Sequence, residues 1–161
     1  MIYLGVDPGF VNIGYFILNS HNQEVTYGTV ISKHSAFEDK LVNIYNNFTE
    51  LLTRYKVSVL IYEQPIFNQK GTTGQNINRA VGVVLLAAKQ SNSNIQFHNY
   101  TAKQIKKSVT NTGTATKDEV DISVKKYFDL KTTFKTDHES DAGAVIITYL
   151  NEHGIDPRRT I

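Results

Sequence analysis

The chain has 161 residues, 17 Lys and Arg against 15 Asp and Glu, a formal charge of +2 and no cysteine. That length suits one domain able to bury roughly two thirds of its unfolded surface. The missing thiols exclude a disulfide framework and thiolate metal sites, leaving carboxylates and histidines as possible ligands.

The first stretch, "MIYLGVDPGFVNIGYFIL", reads as a hairpin. Ile2, Leu4 and Val6 give a buried strand that ends in an acid, Asp7, before the turn formers Pro8 and Gly9, and the apolar pattern then resumes with Gly14 inside it. "EVTYGTVIS" follows as a third strand after a polar turn. From Phe37 to Tyr55 the apolar residues Phe37, Leu41, Ile44, Phe48, Leu51 and Leu52 fall at helical spacing.

"VSVLIYEQP" is the fourth strand, and it too ends in an acid, Glu63, just before Pro65. "FNQKGTTGQNINR" reads as a polar loop, Ile77 to Lys89 as a strongly apolar helix with no side suited to water, and "IQFHNY" as the fifth strand. "TAKQIKKSV" suits a short helix capped by Thr101, "TNTGTAT" a flexible link, and "KDEVDISVKKYF" another helix. "HESDAGAVIITYLNEHG" closes the domain, 1–154, as a helix terminated by Gly154, with 155–161 as a tail. The longest apolar run, Ala80 to Ala88, is too short to span a bilayer, and the N-terminus has no signal-peptide pattern, so a soluble, unexported protein is expected.

This order implies an α/β fold with a five-stranded mixed sheet and helices on both faces. In such sheets, sites form beyond the carboxyl ends of neighbouring parallel strands. Asp7 and Glu63 would therefore converge if strands one and four are adjacent. The last helix adds His138 and Asp141, three apart and so on one face. Three acids beside apolar runs suit hard-cation binding, Mg²⁺ or Mn²⁺, because a cation relieves their repulsion and attracts phosphate. Between Thr101 and Lys135 eight lysines stand against four acids, a field able to meet phosphate.

The blocks "GVDPGFVNIGYFIL", "YEQPIF", "KKSVTNTGTATKDEV" and "HESDAGAVIITYL" resemble, in order and spacing, those of the RuvC family of Holliday junction resolvases, over Ile2 to about Leu150. The resemblance implies the RNase H-like fold and a homodimer that nicks four-way DNA junctions symmetrically, leaving ligatable ends. It would take place in the cytoplasm or whichever compartment holds the nucleic acid. By the same resemblance, Asp7, Glu63 and Asp141 are metal ligands and His138 the fourth member, with Asp137 the adjacent alternative. The metal would be Mg²⁺, replaceable by Mn²⁺, as two ions per site. Lys106 or Lys107, and Lys117, fall on the family's DNA-contacting lysines. The stacking aromatic expected after Glu63 is displaced by one residue, to Phe67, because its place holds Ile66. The Ile77–Lys89 helix matches one that contributes to the dimer interface.

Three other readings are set beside this one. An actin-like ATPase needs two such domains. A related nuclease acting on flaps, forks or other branched nucleic acid would share the same acids. A non-catalytic junction-binding protein would be expected to have lost at least one of the four ligand positions, and all four are present here.

Overall fold

The structure is a computed structural model, and it describes residues 1–65 and 71–156. Five strands, β1 (Ile2–Asp7), β2 (Asn12–Asn19), β3 (Glu24–Ile31), β4 (Val59–Glu63) and β5 (Gln96–Tyr100), form one sheet in the order β3-β2-β1-β4-β5. β1 and β2 pair antiparallel, as do β2 and β3, while β4 runs parallel to both β1 and β5. The adjacency of β1 and β4 on which the site depends is thus present.

Alternation along the strands divides the core in two. Leu4, Val6, Ile13, Ile17 and Leu60 face one side, where α1 (Phe37–Tyr55) contributes Ile44, Phe48 and Leu52 and α2 (Thr72–Ser91) contributes Ala80, Val84, Ala87 and Ala88. Tyr3, Phe16, Leu18, Val59 and Ile61 face the other side, covered by α3 (Ala102–Thr110), α4 (Lys117–Tyr127) and α5 (Asp137–Glu152). This is the mixed sheet with helices on both faces expected from the sequence. Among the described residues, no helix is long and apolar enough to cross a membrane.

Local chemistry sets several boundaries. Thr101 and Thr116 open α3 and α4 with reciprocal capping boxes to Gln104 and Glu119. After α5 the chain turns through Gly154 (φ 62°), with Gly154 N–H donating to Asn151 O and Ile155 N–H to Leu150 O. That is a Schellman ending, for which a left-handed glycine is best suited.

Two expectations about α2 are corrected. It begins at Thr72, not Ile77, because polar residues occupy its exposed first turns and Gly71 supplies no side-chain cap to mark the start. It also faces water on one side: Ala80, Val84, Ala87 and Ala88 are buried, whereas Leu86 is 53% exposed. Ile66 and Phe67 lie outside the described residues.

Candidate active site

Val6 of β1 stands opposite Tyr62 of β4, so the next residues, Asp7 and Glu63, leave the sheet side by side at its carboxyl edge. The N-terminal turn of α5 lies across the same edge because two glycines let it approach. A Cβ at Gly14 would stand 1.9 Å from the His138 carbonyl oxygen, and one at Gly5 2.1 Å from that of Ala142. Glycine within a strand marks such close backbone approach. In the sequence Gly14 stands out only as a glycine inside an apolar strand, and nothing sets Gly5 apart from its apolar neighbours.

Further contacts fix the helix start. The hydroxyls of Thr29 on β3 and Thr136 lie 2.8 Å apart, and the Lys135 N–H donates to the buried Glu139 carboxylate at 2.8 Å. Consequently His138 Nδ1 stands 2.6 Å from Asp7 Oδ2, and Asp141 follows on the same helix face. Asp137 points elsewhere, accepting from Lys117 Nζ at 3.0 Å in a largely exposed pair. His138, rather than Asp137, therefore joins the acids.

Asp7, Glu63, His138 and Asp141 line one cavity of about 300 Å³, whose wall also carries Pro8, Lys106 and Lys117. Burial first, and then the charges of Asp7 and Asp141, push the Glu63 carboxyl up to about 7. Burial, followed by the charge of Asp7, pushes Asp141 up to about 6, with Lys117 opposing. The hydrogen bond to Asp7 raises the His138 imidazole above its ordinary value, against the opposing effect of burial. Among the described residues, neither the Glu63 nor the Asp141 carboxylate has a hydrogen-bond donor, and no three acid or histidine side chains stand close enough together to enclose an ion. The set nevertheless suits a hard cation: two desolvated carboxylates repel each other and a third, and positive charge placed among them would relieve both penalties.

The expected lysines divide. Lys106 and Lys117 line the acidic cavity, whereas Lys107 lines a separate groove with Gln104, Asn111 and Asn151 between α3 and α5. Adjacent helix residues point about 100° apart, so α3 can offer only one of this pair to the acids.

The family model for crossover junction endodeoxyribonuclease RuvC matches residues 3–149. The chain is similar to the crossover junction endodeoxyribonuclease RuvC of Fusobacterium nucleatum subsp. nucleatum, 33% identical over 158 residues, covering 96% of this chain and 82% of that protein. It is 36% identical over 149 residues to the RuvC of Pseudothermotoga lettingae, covering 90% and 91%. Its fold is similar to Thermus thermophilus RuvC solved in complex with a Holliday junction substrate, with a TM-score of 0.81 and 22% identity over 96% of this chain and 95% of that one.

Proposed function

Because the chain belongs to the RuvC family of crossover junction endodeoxyribonucleases, we propose that it resolves four-way DNA junctions by paired, metal-dependent nicks, as a single nuclease domain over 1–154 working in a homodimer. The observation that carries this reading is the cavity in which Asp7, Glu63, His138 and Asp141 face Lys106 and Lys117. Acids alone would repel a phosphodiester, and lysines alone would bind one without cutting it.

In this reading Asp7, Glu63 and Asp141 hold Mg²⁺, or Mn²⁺, with His138 as the fourth donor. Bound divalent cations, two per site, would supply an activated water and stabilise the departing oxygen. The hydrogen bond between His138 Nδ1 and Asp7 Oδ2 leaves His138 Nε2 and Asp7 Oδ1 for that role, and a carboxylate on the other ring nitrogen orients a ligating imidazole. Lys106 reaches the cavity from α3 and Lys117 from the first turn of α4. Both hold the scissile phosphate against the carboxylates. Phosphate contacts position a protein without reading sequence, which suits a substrate defined by its branching.

A homodimer fits the substrate, because two opposed nicks need two acidic clusters and the described residues supply one. The C-terminal half of α2 around the exposed Leu86, beyond Gly82, is the proposed interface, set apart from the acidic cavity. The test is a nicking assay on a mobile four-way junction beside duplex and flap controls, with and without Mg²⁺. Paired nicks at symmetric positions, confined to the junction and dependent on the cation, are expected. Equal cutting of plain duplex, or none of the junction, would overturn the reading.

A further inference from the structure

Lys106 and Lys117 line the acidic cavity together with Pro8, and the β1–β2 connection that begins at Pro8 leads to a second group of cations. Phe10, three residues beyond Asp7, stacks on Phe37 at the start of α1, with ring centroids 5.4 Å apart and planes 29° from parallel. Lys40 Nζ lies 5.0 Å from the centroid of the Phe10 ring, and Arg79 Cζ 5.3 Å from that of Phe37. Two cations from different helices, α1 and α2, thus meet over one pair of half-buried rings. Exposed apolar surface continues beside them at Val11 and Ile31, which are 40% and 50% exposed.

Packing alone explains the ring pair, which ties the β1–β2 connection to α1. It does not explain the cations. Among the described residues, neither Lys40 nor Arg79 is paired with a carboxylate, although Glu38 and Asp39 stand exposed in the first turn of α1. Lys117 and Lys125, by contrast, each have an acidic partner. Arg79 donates only to the neutral Asn76 Oδ1, at 3.1 Å. Uncommitted positive charge over aromatic faces is the combination that holds unstacked nucleotides: cations take phosphate, and rings take a base face.

Location decides what would reach it. Pro8 lines the acidic cavity and also the small apolar cavity against Ala80 and Val81 of α2. Phe10 packs with the α1 and α2 core, whereas the acidic cavity is lined by Ile105 and Val120 of the opposite core, so the β1–β2 connection is a ridge between the carboxylates and the rings. A strand whose phosphate lies at Asp7 would cross that ridge on leaving the site.

We infer that Phe10, Phe37, Lys40 and Arg79 form a second nucleic-acid contact, across the β1–β2 ridge from Lys106 and Lys117, which receives unstacked nucleotides of the cleaved strand beyond the scissile phosphate. The inference rests on the nuclease reading above and adds the path of the strand.

Binding of a four-way junction would be measured by anisotropy from about 50 to 200 mM salt for wild type, Lys40→Gln and Arg79→Gln. Each variant is expected to weaken binding roughly 3- to 10-fold and to lower the salt slope by about one. Lys40→Arg should restore both, which separates lost charge from a disturbed fold. In parallel, 2-aminopurine placed beside the cleaved position should be quenched by wild type and less so by Phe10→Leu. Unaltered affinity and slope in both charge variants, or equal quenching by Phe10→Leu, overturns the inference. Dissociation of a wild-type dimer by Lys40→Gln or Arg79→Gln in sedimentation also overturns it, assigning the patch to a contact between copies. A wild type that binds junctions beside unaffected variants leaves the nuclease reading standing, whereas a wild type that binds no branched DNA defeats both.

Discussion

His138 Nδ1 and Asp7 Oδ2, 131 positions apart in the chain, lie 2.6 Å from each other at the carboxyl edge of the sheet. The imidazole thus hydrogen-bonds one of the carboxylates that the proposed reading assigns to the metal, and this bond raises its pKa. The His138 ring should accordingly titrate above the ordinary histidine range when metal is chelated, as followed by its ring-proton NMR signals. Asp7→Asn should lower that value, since the Asp7 hydrogen bond is its first cause. Saturating Mg²⁺ should lower it too, because a ligating imidazole must be unprotonated. A ring that titrates identically in all three states would remove His138 from the ligand set.

Stability should depend on pH in a direction opposite to that of most salt-bridged acids. Folding raises Glu63 to about 7 and Asp141 to about 6, so the folded protein binds more protons than the unfolded chain between pH 4 and 7. His138 adds the same sign. Stability in chelator is therefore fully present below the unfolded carboxyl values and is lost as the pH rises through 6 and 7. The loss should be on the order of 2–3 kcal/mol, or roughly 5–10 °C in Tm between pH 5 and 8. Added Mg²⁺ should recover stability at pH 8 and little of it at pH 5, where protons compete for the same oxygens. Thermal unfolding in EDTA and in Mg²⁺ at both pH values checks this. A flat profile in EDTA would mean that the acids are not mutually strained.

Asp7→Asn, Glu63→Gln and Asp141→Asn should each cut junction cleavage by more than the roughly 10- to 100-fold typical of losing an outer partner of a metal site. Junction affinity should hold or improve, because each change removes negative charge facing phosphate. Single-turnover cleavage and gel-shift affinity measured on the same preparations distinguish the two effects. Normal cleavage by any one variant would remove that residue from the proposed set.

The lysines separate by position. Lys106→Ala and Lys117→Ala should weaken cleavage together with binding, since both line the acidic cavity. Lys107→Ala should reduce binding without a separate loss in the bound-state rate, because Lys107 faces the groove between α3 and α5. Asp137→Asn would free Lys117 from its 3.0 Å partner and should tighten junction binding modestly, the pair being largely exposed. Equal single-turnover rates for Lys106→Ala and Lys107→Ala at saturating protein would contradict this division.

Much of this geometry is legible in the sequence where a periodic pattern ends in a chemically distinct residue. The apolar runs before Asp7 and Glu63 give both strand ends, and the spacing in Phe37–Tyr55 gives α1 to the residue. The start of α2 is not legible, because its first turns are polar and Gly71 supplies no side-chain cap. Nor can sequence decide between Lys106 and Lys107, since that depends on how the buried Ile105 rotates α3 against the core. The choice of His138 over Asp137 depends on where α5 meets Gly14, a contact that periodicity does not encode. The proposed burial of Leu86 between two copies lies a step further out, because a single chain leaves that residue in water.

That side of α2 supplies the last prediction. Ala80, Val84, Ala87 and Ala88 bury one stripe of the helix, while Leu86, 53% exposed, and the half-buried Val83 add an apolar patch to its C-terminal half, bordered by Gly82, Lys89 and Gln90. A second copy of the chain can cover such a patch symmetrically, as closed two-fold assemblies commonly do. Leu86 is the more informative position to change. Leu85 borders the small cavity beneath Pro8 and Gly9, so a charge there would disturb the fold as well as any interface. Leu86→Glu places its charge in water in the isolated chain and should leave Tm within a few degrees when measured at low concentration. Sedimentation at micromolar concentration should show a wild-type dimer and a Leu86→Glu monomer. The monomer should retain metal-dependent single nicks but lose their pairing across the junction, because each acidic cluster would then act alone. A monomeric wild type that still makes paired cuts, or a Leu86→Glu protein that remains dimeric, would place the interface elsewhere.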